Sequence, residues 1–192
     1  VNNMVKSLLL VGVGGQGTIL VSKILSQGLI KEGYDVKMSE IHGMAQRGGS
    51  VTTQIRFGEK VYSPSIGTGE ADVMIAFEKV EAARYLQQLK KGGRLIVNDV
   101  EMYPLPVLTG KEKYPNGVIE ALKDEVENIK VINARKVAEE LGEVKAQNIV
   151  MLGCLVKALE LENIDWIELI KANLPEKLHE INIKAYESGL NL

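Results

Sequence analysis

Three polar side chains, His42, Gln46 and Arg47, lie close together in the glycine-bearing stretch HGMAQRGGS of a 192-residue chain. Arginine offers a rigid, planar fork of donors for phosphate or carboxylate. Histidine can exchange a proton near neutral pH or bond the backbone of its own turn. Gly48 and Gly49 let the main chain approach a neighbour closely. A second stretch, GVGGQG, runs from Gly12 to Gly17. Glycines between a strand and a helix admit positive φ and leave room for a pyrophosphate, and the helix start presents free N–H groups. The spacing is G-x-G-G-x-G: Gly12, Gly14, Gly15 and Gly17, with Gln16 inside the turn. Glu40 ends the next strand-like run, where an acidic residue would meet ribose hydroxyls.

The turn therefore has three readings. Gly12, Gly14, Gly17 and Glu40 would bind NAD or FAD in a free-standing protein. Alternatively, the glycines only permit tight strand–helix packing. In the third reading their N–H groups face a ligand or chain of another subunit. A P-loop is excluded, because no G-x-x-x-x-G-K-[ST] pattern occurs.

Regular elements must hold these residues in place. Ser7 to Val11 is a short apolar run ended by glycine, the mark of a buried strand. Thr18 to Lys31 has helical spacing and stops at Gly33; Asp35 to Ile41 then alternates as a second strand. Together they make a βαβ unit, and the loop bearing His42 falls at the carboxyl edge of its sheet. Val51 to Phe57 and the short VYS run flank Gly58-Glu59, which predicts an antiparallel hairpin. Ala71 to Phe77, Arg94 to Asp99 and Asn128 to Ala134 read as further buried strands. A helix is expected from Val80 to Lys90, closed by Gly92-Gly93, and a shorter one at 118–123. Pro104 and Pro106 open a loop that runs to Asn116. From Arg135 the pattern is helical, with Asp165 placed to cap one helix and Pro175 to open the last.

The expected fold class is α/β: a Rossmann-like mixed, mostly parallel sheet flanked by helices, with an inserted antiparallel hairpin and a helical C-terminal part. One domain covers 1–192, with the helical segment at 135–192.

Composition narrows the function. A net charge of −2 gives no bulk attraction to nucleic acid or anionic lipid, and no run approaches the ~18 apolar residues of a membrane span. One cysteine, Cys154, rules out an intrachain disulfide and a four-cysteine iron–sulfur cluster within this chain, and fits a reducing cytoplasm. Its apolar helical surroundings mark it as a buried small hydrophobe. No metal site is expected. His179 reads as a packing residue, Asp72 and Glu78 as polar ends of a strand, and Asp99 as a further residue of the carboxyl edge.

GVGGQG, HGMAQRGGS, VYSP and EADVMIAFE together resemble the gamma-type subunit or domain of the 2-oxoacid:ferredoxin oxidoreductases. The likeness continues through GGRLIVND to KAQNIVMLG and KAYESG. Within that family, HGMAQRGGSV is most similar to the small beta subunit of indolepyruvate ferredoxin oxidoreductases. The resemblance implies a subunit inactive alone, in a complex that oxidatively decarboxylates an aryl 2-oxo acid with coenzyme A and oxidised ferredoxin. It implies no cofactor bound by this chain alone: thiamine diphosphate and the iron–sulfur clusters belong to the large partner subunit, and ferredoxin meets the complex. No residue of this chain is singled out as catalytic; His42 reads either as a catalytic base or as a turn histidine bonding nearby backbone. His42, Gln46, Arg47, Gly48 and Gly49 become candidates for the subunit interface or for coenzyme A. Pyruvate, branched-chain or 2-oxoglutarate specificity, a scaffold role and a homodimer of the isolated chain stay open.

Overall fold

The computed structural model describes residues 5–43 and 48–192. Six strands form one sheet in the order β2-β3-β1-β4-β5-β6. They are β1 Lys6–Val13, β2 Asp35–His42, β3 Ser50–Gly58, β4 Ala71–Ala76, β5 Leu89–Asn98 and β6 Ile129–Ile132. β1, β4, β5 and β6 run parallel. β3 alone is reversed and pairs antiparallel with both β1 and β2, so β2 shares the direction of β1.

β1 is central, and Leu8, Leu9, Leu10 and Val11 are all buried. A strand covered on both faces reads as a continuous apolar run, and alternate residues serve opposite layers. Leu8 and Leu10 face one cluster with Ile55, Ile75 and Ile96. That layer is built by α1 Thr18–Lys31, α5 Ala134–Leu141, α6 Gln147–Leu159, α7 Trp166–Asn173 and α8 His179–Asn191. Leu9 and Val11 face the other, with Met74 and Leu95, under α2 Lys79–Tyr85 and α4 Val118–Glu125. A four-residue helix, α3 Leu105–Leu108, lies in the loop after β5. The C-terminal helices thus lie on the sheet.

Two expectations need correction. The predicted hairpin turn at Gly58-Glu59 is absent, and Val61–Ser63 is no strand. The antiparallel hairpin is β2–β3 instead, joined through 43–49. β3 has neighbours on both edges, so no edge is left for a third run. The chain from Gly58 crosses to β4 with Val61 and Ile66 buried, held by Val61 N–H to Asp35 Oδ2 (2.9 Å) and Ile66 N–H to Gln54 Oε1 (2.8 Å). Secondly, the helix expected to Lys90 stops at Tyr85, and a 3₁₀ turn over Leu86–Gln88 leads straight into β5. Gly92-Gly93 forms a bulge in the strand. Ala71 pairs with Leu89, but Val73 pairs with Arg94, so β5 advances further than β4 over the same stretch. Gly92 supplies φ +76°, and a Cβ on Gly93 would lie 2.8 Å from the Lys90 carbonyl oxygen.

Candidate functional site

β1 delivers the glycine turn to the carboxyl edge of the sheet, and α1 begins directly behind it. The turn is tied from within. The Gln16 side chain is buried, accepting from Val13 N–H at 2.8 Å and donating through Nε2 to the Phe77 carbonyl at 2.8 Å. Asn98 Nδ2 reaches the same carbonyl at 3.4 Å and Gln147 Oε1 at 3.3 Å, while Asn98 Oδ1 accepts from Ala134 N–H at 2.9 Å. Asn148 packs on Gly17: a Cβ there would lie 2.2 Å from Asn148 Nδ2, and Gly17 has φ +78°. Gly12 is confined too, though less tightly, since its Cβ would meet Gln16 Oε1 at 2.9 Å. Four amide side chains therefore join the ends of β1, β4 and β5 to the starts of α5 and α6. Gln16 belongs to this frame. Asn98, Gln147 and Asn148 were not singled out from the sequence as site residues. An amide inside an apolar run (LIVN, QNIVML) signals a buried hydrogen-bonding role.

Gly48 and Gly49, just before β3, close on the turn from outside. Gly14 N–H donates to the Gly49 carbonyl at 2.8 Å, and Gly48 N–H donates back to Gly14 at 3.4 Å. Gly48 has φ +78°. His42, at the exposed end of β2, pairs in register with Val51. Gly14, Gly15, Gly17, Thr18, Ile19, His42 and Val51 line one cleft of about 450 Å³. The structure thus brings His42, Gly48 and Gly49 to the glycine turn. Gln46 and Arg47, the other two predicted side chains, lie outside the described residues. Ile19 and Ile41 are more than half exposed at 51% and 57%.

Among the described residues the cleft wall offers backbone, one hydroxyl and one imidazole, and no nucleophile paired with a base. The N–H groups of Gly15, Gly17 and Thr18 have no acceptor among the described residues. Such a wall can bind and orient a group. Glu40 departs from the dinucleotide pattern. β3 stands between β1 and β2, so Glu40 is two strands from the turn, and its Oε1 accepts from Ser22 Oγ at 3.3 Å. In the dinucleotide fold that acid sits on the strand next to β1.

α2 adds two buried carboxylates to the same edge, again not singled out as site residues from the sequence. Glu78 caps α2 by accepting from Glu81 N–H at 2.9 Å, and it accepts from the Tyr114 hydroxyl. Burial first, then that bond, pushes the Tyr114 phenol well above its ordinary range. Lys79 bridges Asp99 (3.2 Å) and Glu101 (2.8 Å). Burial works against its charge, but the hydrogen bonds to Glu101 and Asp99 outweigh it and raise its pKa. Asp99 thus serves an ion-pair cluster at this edge. At the opposite end of β4, Asp72 accepts from Ser7 N–H (2.9 Å) and Lys90 Nζ (3.3 Å), as a polar strand end should. His179 Nε2 lies 2.8 Å from the Leu174 carbonyl oxygen, a packing contact within the C-terminal part. Cys154 is buried, bonded to the Gly189 carbonyl at 3.2 Å, and burial pushes its thiol up to about 11. Among the described residues no three His, Cys, Asp or Glu side chains gather as metal ligands.

Comparison with known proteins gives these features a lineage. Residues 7–192 match the family described as pyruvate ferredoxin/flavodoxin oxidoreductase. The chain is 37% identical to the indolepyruvate oxidoreductase subunit IorB of Pyrococcus horikoshii, over 96% of this chain and 94% of the relative. It is 29% identical to the common gamma subunit of pyruvate/ketoisovalerate oxidoreductases from Thermococcus kodakarensis, over 94% and 92%. The keto/oxoacid ferredoxin oxidoreductase gamma subunit from Geobacter sulfurreducens has the same fold, with TM-score 0.70, 22% identity and 97% and 96% of the two chains covered. A 2-oxoglutarate:ferredoxin oxidoreductase from Magnetococcus marinus contains the fold in 30% of its chain, at TM-score 0.74 and 18% identity, matching 97% of this one. A match that runs from β1 to the last helix, in sequence and in fold alike, means that the chain belongs to the pyruvate ferredoxin/flavodoxin oxidoreductase family.

Proposed function

We propose that this chain is the small subunit of an indolepyruvate-type 2-oxoacid:ferredoxin oxidoreductase of the cytoplasm, completing a pocket whose chemistry belongs to a large partner subunit. The complex converts an aryl 2-oxo acid, coenzyme A and oxidised ferredoxin into an aryl-acetyl-CoA, carbon dioxide and reduced ferredoxin. Thiamine diphosphate and iron–sulfur clusters in the partner supply the carbanion and electron-transfer steps, and this chain supplies position and charge. The observation that carries this reading is the likeness to IorB subunits across 96% of the chain, at 37% identity against 29% for the pyruvate/ketoisovalerate gamma subunit. The cleft fits the role. It lies at the carboxyl edge, with the half-exposed Ile19 in its wall beside backbone, hydroxyl and imidazole groups that can hold a ligand. His42, Gln46 and Arg47 are assigned the contact with coenzyme A phosphates or with the partner. With its one cysteine buried, the chain leaves every cluster ligand to the partner.

The test is co-expression with the candidate large subunit and assay of the complex on indolepyruvate, pyruvate and 2-oxoglutarate. Indolepyruvate should give the highest kcat/KM. Preference for another acid overturns the substrate assignment, and failure to assemble overturns the subunit reading. Arg47→Ala should lower turnover of the assembled complex while the isolated chain keeps its fold. Wild-type turnover and coenzyme A dependence in that variant remove the role of Arg47.

A further inference from the structure

We infer that Glu81, Ser50 and Tyr85 form a positioning lock that sets the cleft wall from behind, so that α2 governs how the His42–Val51 end of the β2–β3 hairpin meets the partner subunit. This rests on the docking reading just given and names the residues that control it.

Glu81 is 4% exposed, on a helix whose first turn is packed against the sheet. A buried carboxylate is costly unless its oxygens find donors. Its Oε2 accepts from Ser50 Oγ at 2.5 Å and its Oε1 from Arg84 Nε at 3.0 Å. The Tyr85 hydroxyl is 3.0 Å from the same Ser50 Oγ. Two residues of α2 therefore hold one hydroxyl, and that hydroxyl stands at the first residue of β3. Ser50 stands between a residue of the cleft and the glycines that bond to its turn. Val51 lines it and pairs with His42, while Gly49 and Gly48 bond Gly14 on the glycine turn. Ser50 is the hinge point of this wall, fixed on one side by β1, through its pairing with Val13, and on the other by Glu81. Neither the core nor the ladder needs a charge at Glu81, and a leucine would fill an apolar layer more cheaply. A charge-assisted bond gives direction and a short, fixed length, which is what a positioning contact requires.

The experiment compares Ser50→Ala, Ser50→Thr and Ile164→Val with the wild type. Ile164 is buried in the opposite layer and controls for general loss of stability. Amide exchange is read in the isolated chain, and apparent affinity for the large subunit is read by titrating activity, both far below the melting transition. Ser50→Ala should lose amide protection at Gly14 and Gly48 and bind the large subunit about tenfold more weakly, the size expected for one bond to a charged group. Ser50→Thr keeps the hydroxyl and should restore both. Ile164→Val should change neither. Unchanged protection or affinity in Ser50→Ala, failure of Ser50→Thr to rescue, or an equal loss in Ile164→Val overturns the lock. Ile19→Arg, which places a charge on the cleft wall, tests the docking reading separately. Affinity unchanged there means that the cleft does not face the partner, and both readings fall. Affinity lost there but kept in Ser50→Ala removes the lock alone.

Discussion

Gly17 shows how much a single hydrogen atom in place of a side chain can carry. Its φ of +78° strains any L residue, and its missing Cβ leaves room for Asn148. Gly17→Ala should cost about 1–3 kcal/mol in denaturant unfolding. The double variant Gly17→Ala/Asn148→Ala should recover the packing part and keep the backbone part. Full additivity of the two single changes would show that the contact is unimportant. Cys154 gives a second prediction. Its thiol is raised by burial to about 11 from an ordinary value of 9.0, so the folded state favours the neutral form. That contribution is complete below pH 9 and is lost as pH climbs toward 11. A thiol reagent at pH 8 should leave the folded chain unlabelled and take one equivalent after unfolding.

Elements meet at α6 and α8 with almost no space between them. A Cβ on Gly189 would lie 2.1 Å from the Val150 carbonyl oxygen, and one on Gly153 would lie 2.3 Å from that of Tyr186. Both obstacles are backbone, which cannot swing aside. Gly189→Ala should therefore lower stability by about 3 kcal/mol, seen as an earlier denaturant midpoint. The end of α6 makes the opposite case. Glu160 closes that helix in the left-handed region at φ 58°, among the described residues the one non-glycine with positive φ. Glu160→Gly should stabilise the chain by about 0.5–1 kcal/mol, since glycine takes this conformation without strain. A lower midpoint would mean that the Glu160 side chain does more than end the helix.

At the scale of the molecule, two apolar clusters share one sheet, so neither layer can leave without exposing the other's strands. We propose that the chain unfolds as one cooperative unit, including the helical segment after Arg135. Trp166, the single tryptophan, is buried between α7 and α1, where its ring fills the space over Gly28. Its fluorescence and the far-UV circular dichroism should fall on one transition with denaturant. Two separated transitions would mark the C-terminal helices as an independent unit.

Much of this organisation follows from residue order alone. Continuous apolar runs mark β1, β4 and the buried half of β5, because strands covered on both faces carry no polar residues to interrupt them. Glycine spacing marks the turn before α1, and Asp165 marks its helix by accepting from Glu168 N–H at 2.9 Å. His42, Gly48 and Gly49 could be assigned to the edge of the glycine turn because parallel strands send their loops to one side. The partners of β3 could not be read, since strand pairing depends on which edges remain free and every run of β-rich residues looks alike in that respect. The Gly92-Gly93 pair misled for a related reason: positive φ serves a helix end and a strand bulge equally, and the neighbouring strand decides between them. The amides of Gln16, Asn98, Gln147 and Asn148 stand out in their apolar surroundings, but their partners, like the lock at Glu81, could not be read, because long-range hydrogen bonds leave no periodic trace in a sequence. They exist only once folding has brought separated residues within three ångströms or so of each other.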